Sequence, residues 1–97
     1  MKPLYISKEE VAQFLSMEKC IALMEDAFNA LVDGQALQPL RSLMWLPDKS
    51  GLLGMMPACA ADLGMMGIKV ITAFSGNKKF GYSSHQGAIL LFESTHR

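Results

Sequence analysis

Two basic residues in apolar surroundings are the first candidates for chemistry in this sequence. Lys69 lies in the middle of residues 64–74, which read GMMGIKVITAF and are typical of a central strand that is apolar on both faces. Moving an ammonium group out of water is costly unless the charge is paired. Lys69 therefore either reaches water along its aliphatic stem or marks a binding site.

Arg41 is the second candidate. In a strand over residues 40–46, Arg41 shares a face with Leu43 and Trp45, because strand side chains alternate between two faces. A planar guanidinium suits a carboxylate and an ammonium adds a point charge, so Arg41 and Lys69 together predict a clamp for a small acid. The alternative is an arginine at a strand end and a lysine that extends from the core to solvent.

A polar segment at residues 83–87, with the sequence SSHQG, is the third candidate. It places donors and acceptors beside a glycine at the start of a strand, where backbone can approach a ligand closely. A loop histidine such as His85 is otherwise solvated or bonded to backbone. The sequence has no Ser-His-acid order, no His/Cys metal spacing and no glycine-rich phosphate loop. We therefore predict no catalytic residue and no metal site.

The elements that must position these residues are helices first and strands afterwards. Ser7 and Glu10 have the spacing of a capping box, and Ser16 offers a second helix start whose helix ends near Gly34. Apolar residues at helical spacing are interpreted as core positions. These positions are Val11, Phe14, Leu15, Met17, Ile21, Met24, Phe28 and Leu31.

Short apolar runs broken by turn residues follow the helices. The predicted strands are residues 40–46, 52–56, 67–74 and 87–92, with a further short edge strand at 4–6. Residues 48–51 form a predicted hairpin turn, and residues 75–84 a polar, flexible loop. This order predicts an α+β domain in which two N-terminal helices precede a mostly antiparallel sheet.

Composition limits the partners. The 97 residues suffice for one small domain, and nine basic residues balance nine acidic ones, which disfavours nucleic acid and anionic membranes. Cys20 and Cys59 lack metal or redox spacing and predict reduced thiols in a cytoplasmic protein. An apolar content of 51%, with eight methionines, predicts that part of the surface is covered in a homodimer.

Several segments together resemble a known family in their order and spacing. They are residues 4–11 (LYISKEEV), 39–41 (PLR), 56–57 (MP), 67–70 (GIKV) and 85–92 (HQGAILLF). Over essentially its whole length, the sequence resembles the amino-terminal part of the ornithine cyclodeaminase/mu-crystallin family. The resemblance implies that residues 1–97 are a truncated substrate-binding and dimerisation domain. In full-length members a Rossmann domain for NAD or NADP follows, and hydride passes between the nicotinamide and the carbon of an amino or imino acid.

The resemblance also implies the site residues. Arg41 and Lys69 match the residues that bind the substrate carboxylate, and the positions that line the site are Met56, His85, Gln86 and Gly87. A further arginine and the catalytic aspartate of ornithine-cyclising members lie downstream of the matched stretch.

Two departures from the family pattern refine this expectation. The sequence has no G-x-G-x-x-G fingerprint, so we expect no cofactor-binding residue and no activity from this chain alone. No acidic residue immediately precedes Met56 and Pro57, which favours a substrate smaller or less basic than ornithine. The alternative function is a non-catalytic, mu-crystallin-like module that binds a ligand or only dimerises.

Overall fold

Two capped helices form the first part of the computed structural model, which describes residues 2–94. Helix α1 spans Lys8–Phe14 and helix α2 spans Met17–Val32. The backbone N–H of Glu10 donates to Ser7 Oγ and that of Ser7 donates to Glu10 Oε1, both at 3.2 Å, which confirms the predicted capping box. Gly34 adopts a left-handed φ of 77° just beyond α2, where a side chain would be strained.

A single antiparallel sheet follows the helices. Its order is β1-β3-β4-β5, and β2 also pairs with β3, so β1 and β2 lie end to end along the same edge of β3. The predicted architecture of two helices followed by an antiparallel sheet is confirmed. The strands are β1 (Ala36–Leu37), β2 (Ser42–Trp45), β3 (Leu52–Ala60), β4 (Met65–Ala73) and β5 (His85–Glu93).

Element boundaries differ from the sequence predictions in three places. Residues 4–6 form no strand, and β1 and β2 lie along the outer edge of β3. Strand β2 is shorter than predicted and begins after Arg41, whereas β3, β4 and β5 each extend to nine residues. The segment predicted as a flexible loop contains a 3₁₀ helix, Ser75–Phe80. Asn77 Nδ2 of this helix donates a hydrogen bond to the Ser83 carbonyl oxygen at 3.0 Å.

The predicted helical core is wrong for this chain. Among the described residues Ala30 is the only buried hydrophobic side chain, whereas Met17 of the apolar stripe is 74% exposed and Phe28 is 66% exposed. The reason is placement: α2 contacts the sheet chiefly through the two-residue β1 and does not lie across either face. An amphipathic pattern creates an apolar face, but it does not supply the surface that covers it.

The uncovered surface is large. The chain exposes 8533 Å², whereas a folded monomer of 10.6 kDa is expected to expose about 5,500 Å². Its radius of gyration is 15.9 Å, compared with about 12.5 Å for a compact domain of this length. The excess of about 3,000 Å² measures how much surface this chain leaves uncovered.

Candidate functional site

Lys69 lies in the middle of β4, which pairs with β3 on one side and β5 on the other. The prediction of a central strand is therefore confirmed. The predicted burial is not found, because no helix covers the sheet there and Lys69 is exposed. Its ammonium keeps its water, so the charge carries no desolvation cost in this chain.

The register places Met56 beside Lys69 on β3 and Ile89 beside it on β5. Residues paired directly across antiparallel strands project to the same face, so these three side chains form a row, here called the Lys69 row. The face that carries them is called the Lys69 face. Met56 is half-buried and Lys69 is exposed, so the row places an apolar side chain beside a charged one.

Arg41 lies one residue before β2, at the β3 end of the Lys69 row. Ser42 pairs with Met55, so one further step along the same register leads from Arg41 to Met56. Strand alternation continued by one residue before β2 sets Arg41 on the same face as Lys69, across β3, although Arg41 lies outside β2 itself. The side chains of Arg41 and Lys69 are both exposed.

Small residues surround Lys69 on its own face. A Cβ on Gly67 would come within 2.7 Å of the Leu90 carbonyl oxygen, and one on Gly87 would overlap the Val70 carbonyl oxygen. These glycines are required by the close approach of β5 to β4. Their lack of side chains also leaves a shallow trough beside Lys69, in which a ligand can lie against the sheet.

The structure divides the predicted residues of the polar segment between two faces. Gly87 pairs with Ile71 and lies on the Lys69 face, one row away from Lys69. His85 pairs with Ala73 on the same face but lies four residues along β4, about 13 Å from the Lys69 row. Gln86 pairs with Thr72 and projects to the opposite face. Arg41, Met56, Lys69 and Gly87 are thus brought together, whereas His85 and Gln86 are not.

His85 belongs instead to a second row at the far end of the Lys69 face. The Trp45 row consists of Trp45, Leu52, Ala73 and His85, which are paired in succession across four strands. A pocket of about 270 Å³ lies over this row. It is lined in part by Lys49 of the β2–β3 turn and Lys78 of the 3₁₀ helix.

Sequence reasoning placed Trp45 on the face of Arg41 but missed this pocket. Lys49 and Lys78 lie in separate loops, and only the strand register brings those loops to the same end of the sheet. The available signal was the polar composition of residues 75–84, which contain two lysines. Composition alone does not show which strand end a loop covers.

The β2–β3 turn beside this pocket contains a perturbed carboxylate. Asp48 Oδ1 accepts hydrogen bonds from the Ser50 hydroxyl at 2.6 Å and the Ser50 backbone N–H at 3.0 Å. These bonds, the hydroxyl first, lower the pKa of Asp48 below its ordinary value of 3.8. Asp48 is therefore a charged acceptor in the turn at neutral pH.

The opposite face of the sheet is apolar. It contains a depression of about 310 Å³, and half-buried or exposed apolar side chains line it. The lining residues include Leu37, Pro57, Cys59, Met66, Ile68 and Phe92. This face offers contact area, whereas the Lys69 face offers charge.

Two further observations concern metals and membranes. Within residues 2–94, no three His, Cys, Asp or Glu side chains are placed to hold a metal ion. In the same range, neither helix has the length and apolar character that crossing a membrane requires.

A family model and several curated relatives match nearly all of this chain. The model of the ornithine cyclodeaminase/mu-crystallin family matches residues 1–96. Ketimine reductase mu-crystallin of Mus musculus is 34% identical in an alignment of 95 positions that covers 94% of this chain and 30% of the relative.

Two solved structures share the fold. One is the Thermococcus litoralis Delta(1)-pyrroline-2-carboxylate reductase in complex with NADH and L-proline, with a TM-score of 0.88 and 28% identity over 94% of this chain and 28% of that one. The other is an archaeal alanine dehydrogenase dimer with bound NAD, with a TM-score of 0.83 and 26% identity over 92% of this chain and 27% of that one. The chain thus spans less than a third of the length of each of these relatives.

Proposed function

This chain belongs to the ornithine cyclodeaminase/mu-crystallin family, and from that premise we propose that residues 1–97 are the substrate-binding and dimerisation region of an NAD(P)-dependent oxidoreductase. The substrate is a small amino or imino acid. The observation that supports the proposal is the strand register, which pairs Met56 with Lys69 and sets Ser42, the residue after Arg41, opposite Met55.

Each member of the site has a distinct task in this proposal. The Arg41 guanidinium donates two parallel hydrogen bonds to the substrate carboxylate, and the Lys69 ammonium adds a point charge from the other side of Met56. Met56 supplies the apolar surface between the two cations. The carboxylate is thereby held at a fixed orientation, which is how a binding domain presents a carbon atom for reaction.

The surroundings of the row favour a substrate with a short aliphatic body. The neighbouring rows on the Lys69 face contribute Gly54, Gly67, Ile71 and Gly87, none of which has a polar side chain. A second amine on the substrate would find no carboxylate among these neighbours. Proline-sized or alanine-sized acids fit this pattern, and L-proline is the ligand of the Thermococcus litoralis relative.

The described residues do not form the elements that a principal binding site for NAD(P) requires. A dinucleotide site of the Rossmann type needs a parallel strand-helix-strand unit with a glycine-rich turn at the helix start. Here both helices precede the sheet, and every strand pair is antiparallel. The proposed activity of the whole protein thus assigns the cofactor to residues other than those described.

A titration with L-proline tests the carboxylate site. We expect two-dimensional NMR of the chain to show shifts in the backbone amides around Met56 and Lys69, and Arg41→Gln and Lys69→Gln each to weaken binding about tenfold. Prolinamide, which lacks the carboxylate, is the matched ligand control and Lys79→Gln the matched protein control. Equal shifts with proline and prolinamide would contradict the proposal.

Dimerisation is the second part of the proposal. A standard protein interface covers about 800 Å² on each partner, and obligate dimers cover more. The excess exposed surface of about 3,000 Å² can accommodate such an interface. The archaeal alanine dehydrogenase relative is a dimer. Light scattering over a range of protein concentrations measures the oligomeric state. A monomer at high micromolar concentration would refute the proposed dimer.

A cytoplasmic location is also proposed. Cys20 and Cys59 are free and half-buried, as in proteins kept in a reducing compartment. Alkylation of freshly lysed cells without prior reduction should modify both thiols after denaturation. Recovery of a disulfide between them would contradict this assignment.

The alternative is a non-catalytic ligand-binding or dimerising module. The observation that favours it is the misfit between the described residues and a dinucleotide site. Fluorescence titration with NADH and NADPH separates the two arrangements. We expect no saturable binding by this chain, and tight binding would show that its residues hold the cofactor after all.

A further inference from the structure

The pocket over the Trp45 row has the chemistry of an anion site. Lys49 and Lys78 line it from two different loops, and Ser84 and His85 line it from the start of β5. Among its described lining residues there is no aspartate or glutamate. The nearest carboxylate along the chain, Asp48, is outside the lining and accepts two hydrogen bonds from Ser50.

The walls of this pocket are built by the fold. Trp45 forms one wall, with the Lys49 ammonium 6.0 Å from the centre of its ring. Phe74 forms the base, and it packs so closely on Gly51 that a Cβ there would overlap the ring. The Phe74 N–H donates to the Ser84 carbonyl at 2.7 Å, which closes the loop that carries Lys78.

From this arrangement we propose that the pocket over the Trp45 row binds a phosphate group. Lys49 and Lys78 approach from separate loops, so their charges reach a ligand from different directions. A tetrahedral oxyanion has oxygens in several directions and suits separated point charges, whereas a planar carboxylate is best matched by a guanidinium fork. This pocket has no arginine among its lining residues.

The hydroxyl and imidazole of the lining complete the donor set. Ser84 Oγ and His85 Nδ1 lie 3.0 Å apart, so the hydroxyl and the imidazole act as one hydrogen-bonded pair at the pocket wall. In one tautomer the histidine Nδ1–H donates to the hydroxyl oxygen, and the hydroxyl proton is then free to turn to the ligand.

This site is separate from the proposed carboxylate site. The two rows lie four residues apart along β4, a distance of about 13 Å, which exceeds the screening length of about 8 Å at physiological salt. Phosphate binding at the Trp45 row thus does not depend on the function proposed for Arg41 and Lys69. Failure of one leaves the other standing.

Trp45 is the only tryptophan of the chain, so tryptophan fluorescence measures changes in the pocket that Trp45 lines. We expect inorganic phosphate, added at constant ionic strength, to change the Trp45 emission in a saturable manner at millimolar concentration. Sodium chloride and acetate at the same ionic strength serve as controls. The absence of saturation, or an equal response to acetate, would overturn the proposal.

Matched lysine variants locate the binding. Lys49→Gln and Lys78→Gln should each raise the midpoint for phosphate about fivefold, while Lys79→Gln, in the same 3₁₀ helix but outside the lining, should leave it within twofold. Because loss of Lys49 also alters the environment of the Trp45 ring, phosphorus NMR line width is measured in parallel. Unchanged midpoints in both lining variants would refute the site.

A second ligand identifies the source of the phosphate. If glycerol 3-phosphate binds with the same midpoint as inorganic phosphate, a phosphate ester is supported as the natural ligand. If only inorganic phosphate binds, the free ion is supported. Both results are consistent with the phosphate site. Binding of neither would overturn it.

Discussion

The two rows on the Lys69 face are built from opposite kinds of structure. The Lys69 row lies in the middle of long strands, and its neighbours on the same face include glycines. The Trp45 row lies at strand ends, where a turn and a 3₁₀ helix rise beside it and form walls. The first is an open strand surface that carries one lysine, and the second is a pocket that two loop lysines line.

The two rows therefore differ in how far residues of this chain enclose them. Residues of the β2–β3 turn and of the 3₁₀ helix line a half-open pocket over the Trp45 row, so this chain alone supplies the lining. The Lys69 row is open to solvent, since Lys69 is exposed and Met56 is half-buried, so the ligand proposed for it would stay accessible from above the sheet. An open carboxylate clamp is suited to a substrate that another part of the protein must reach.

The largest expected effect comes from the row between these two regions. Gly87→Ala places a Cβ against the Val70 carbonyl oxygen, so we expect β5 to separate from β4 and the free energy of unfolding to fall by about 3 kcal/mol. Urea denaturation followed by circular dichroism measures it. Gly76→Ala, where nothing lies within 4 Å, is the control. A loss no larger than that of the control would contradict the close approach.

A smaller loss of stability is expected at the base of the pocket. Gly51→Ala places a Cβ against the Phe74 ring, which can move aside at a cost of about 1 kcal/mol. The Trp45 emission should change as the ring moves. In a Phe74→Ala background the same substitution should cost nothing, and an equal cost in both backgrounds would show that the ring is not the obstacle.

Crossed binding measurements test whether the two rows are independent. Lys69→Gln should weaken proline binding about tenfold and leave the phosphate midpoint within twofold, because the rows are farther apart than the screening length. Lys78→Gln should raise the phosphate midpoint about fivefold and leave proline binding within twofold. Coupling of more than threefold in either direction would mean that both rows contribute to one site.

The smallest effect concerns the turn that carries Lys49. The hydrogen bonds from Ser50 hold the pKa of Asp48 in the folded state below 3.8. The stability that they contribute is therefore fully present above pH 3.8, and it is lost as the pH falls through the lowered pKa of the folded state. Ser50→Ala should move the Asp48 pKa back toward 3.8. Carboxyl NMR titration measures the shift, and an unchanged pKa would show that other groups cause it.

Much of the fold was predictable from local signals. The capping box at Ser7 and Glu10, the second cap at Ser16 and the left-handed Gly34 each act within a few residues, so short-range chemistry determines them. The burial of the helices was not predictable in this way. Val11 and Phe28 lie at core spacing yet stay exposed, since burial depends on which surface lies opposite.

Part of the candidate site was predictable as well. Lys69 was identified by its charge in an apolar strand and Arg41 by its alternation with Leu43, and the sheet register then placed both on one face. His85 and Gln86 are adjacent in sequence and were expected together. Strand alternation separates them onto two faces, and register moves His85 about 13 Å along the sheet.

The sequence by itself determined the class of elements, their order and the residues that carry charge in apolar strands, because propensity, capping and periodicity act over a few residues. Only the tertiary structure decided which charges share a face, which loops meet over Trp45 and how much apolar surface stays uncovered. These properties depend on strand register and on contacts between residues far apart in the chain. A shift of one residue in that register would move Lys69 to the opposite face.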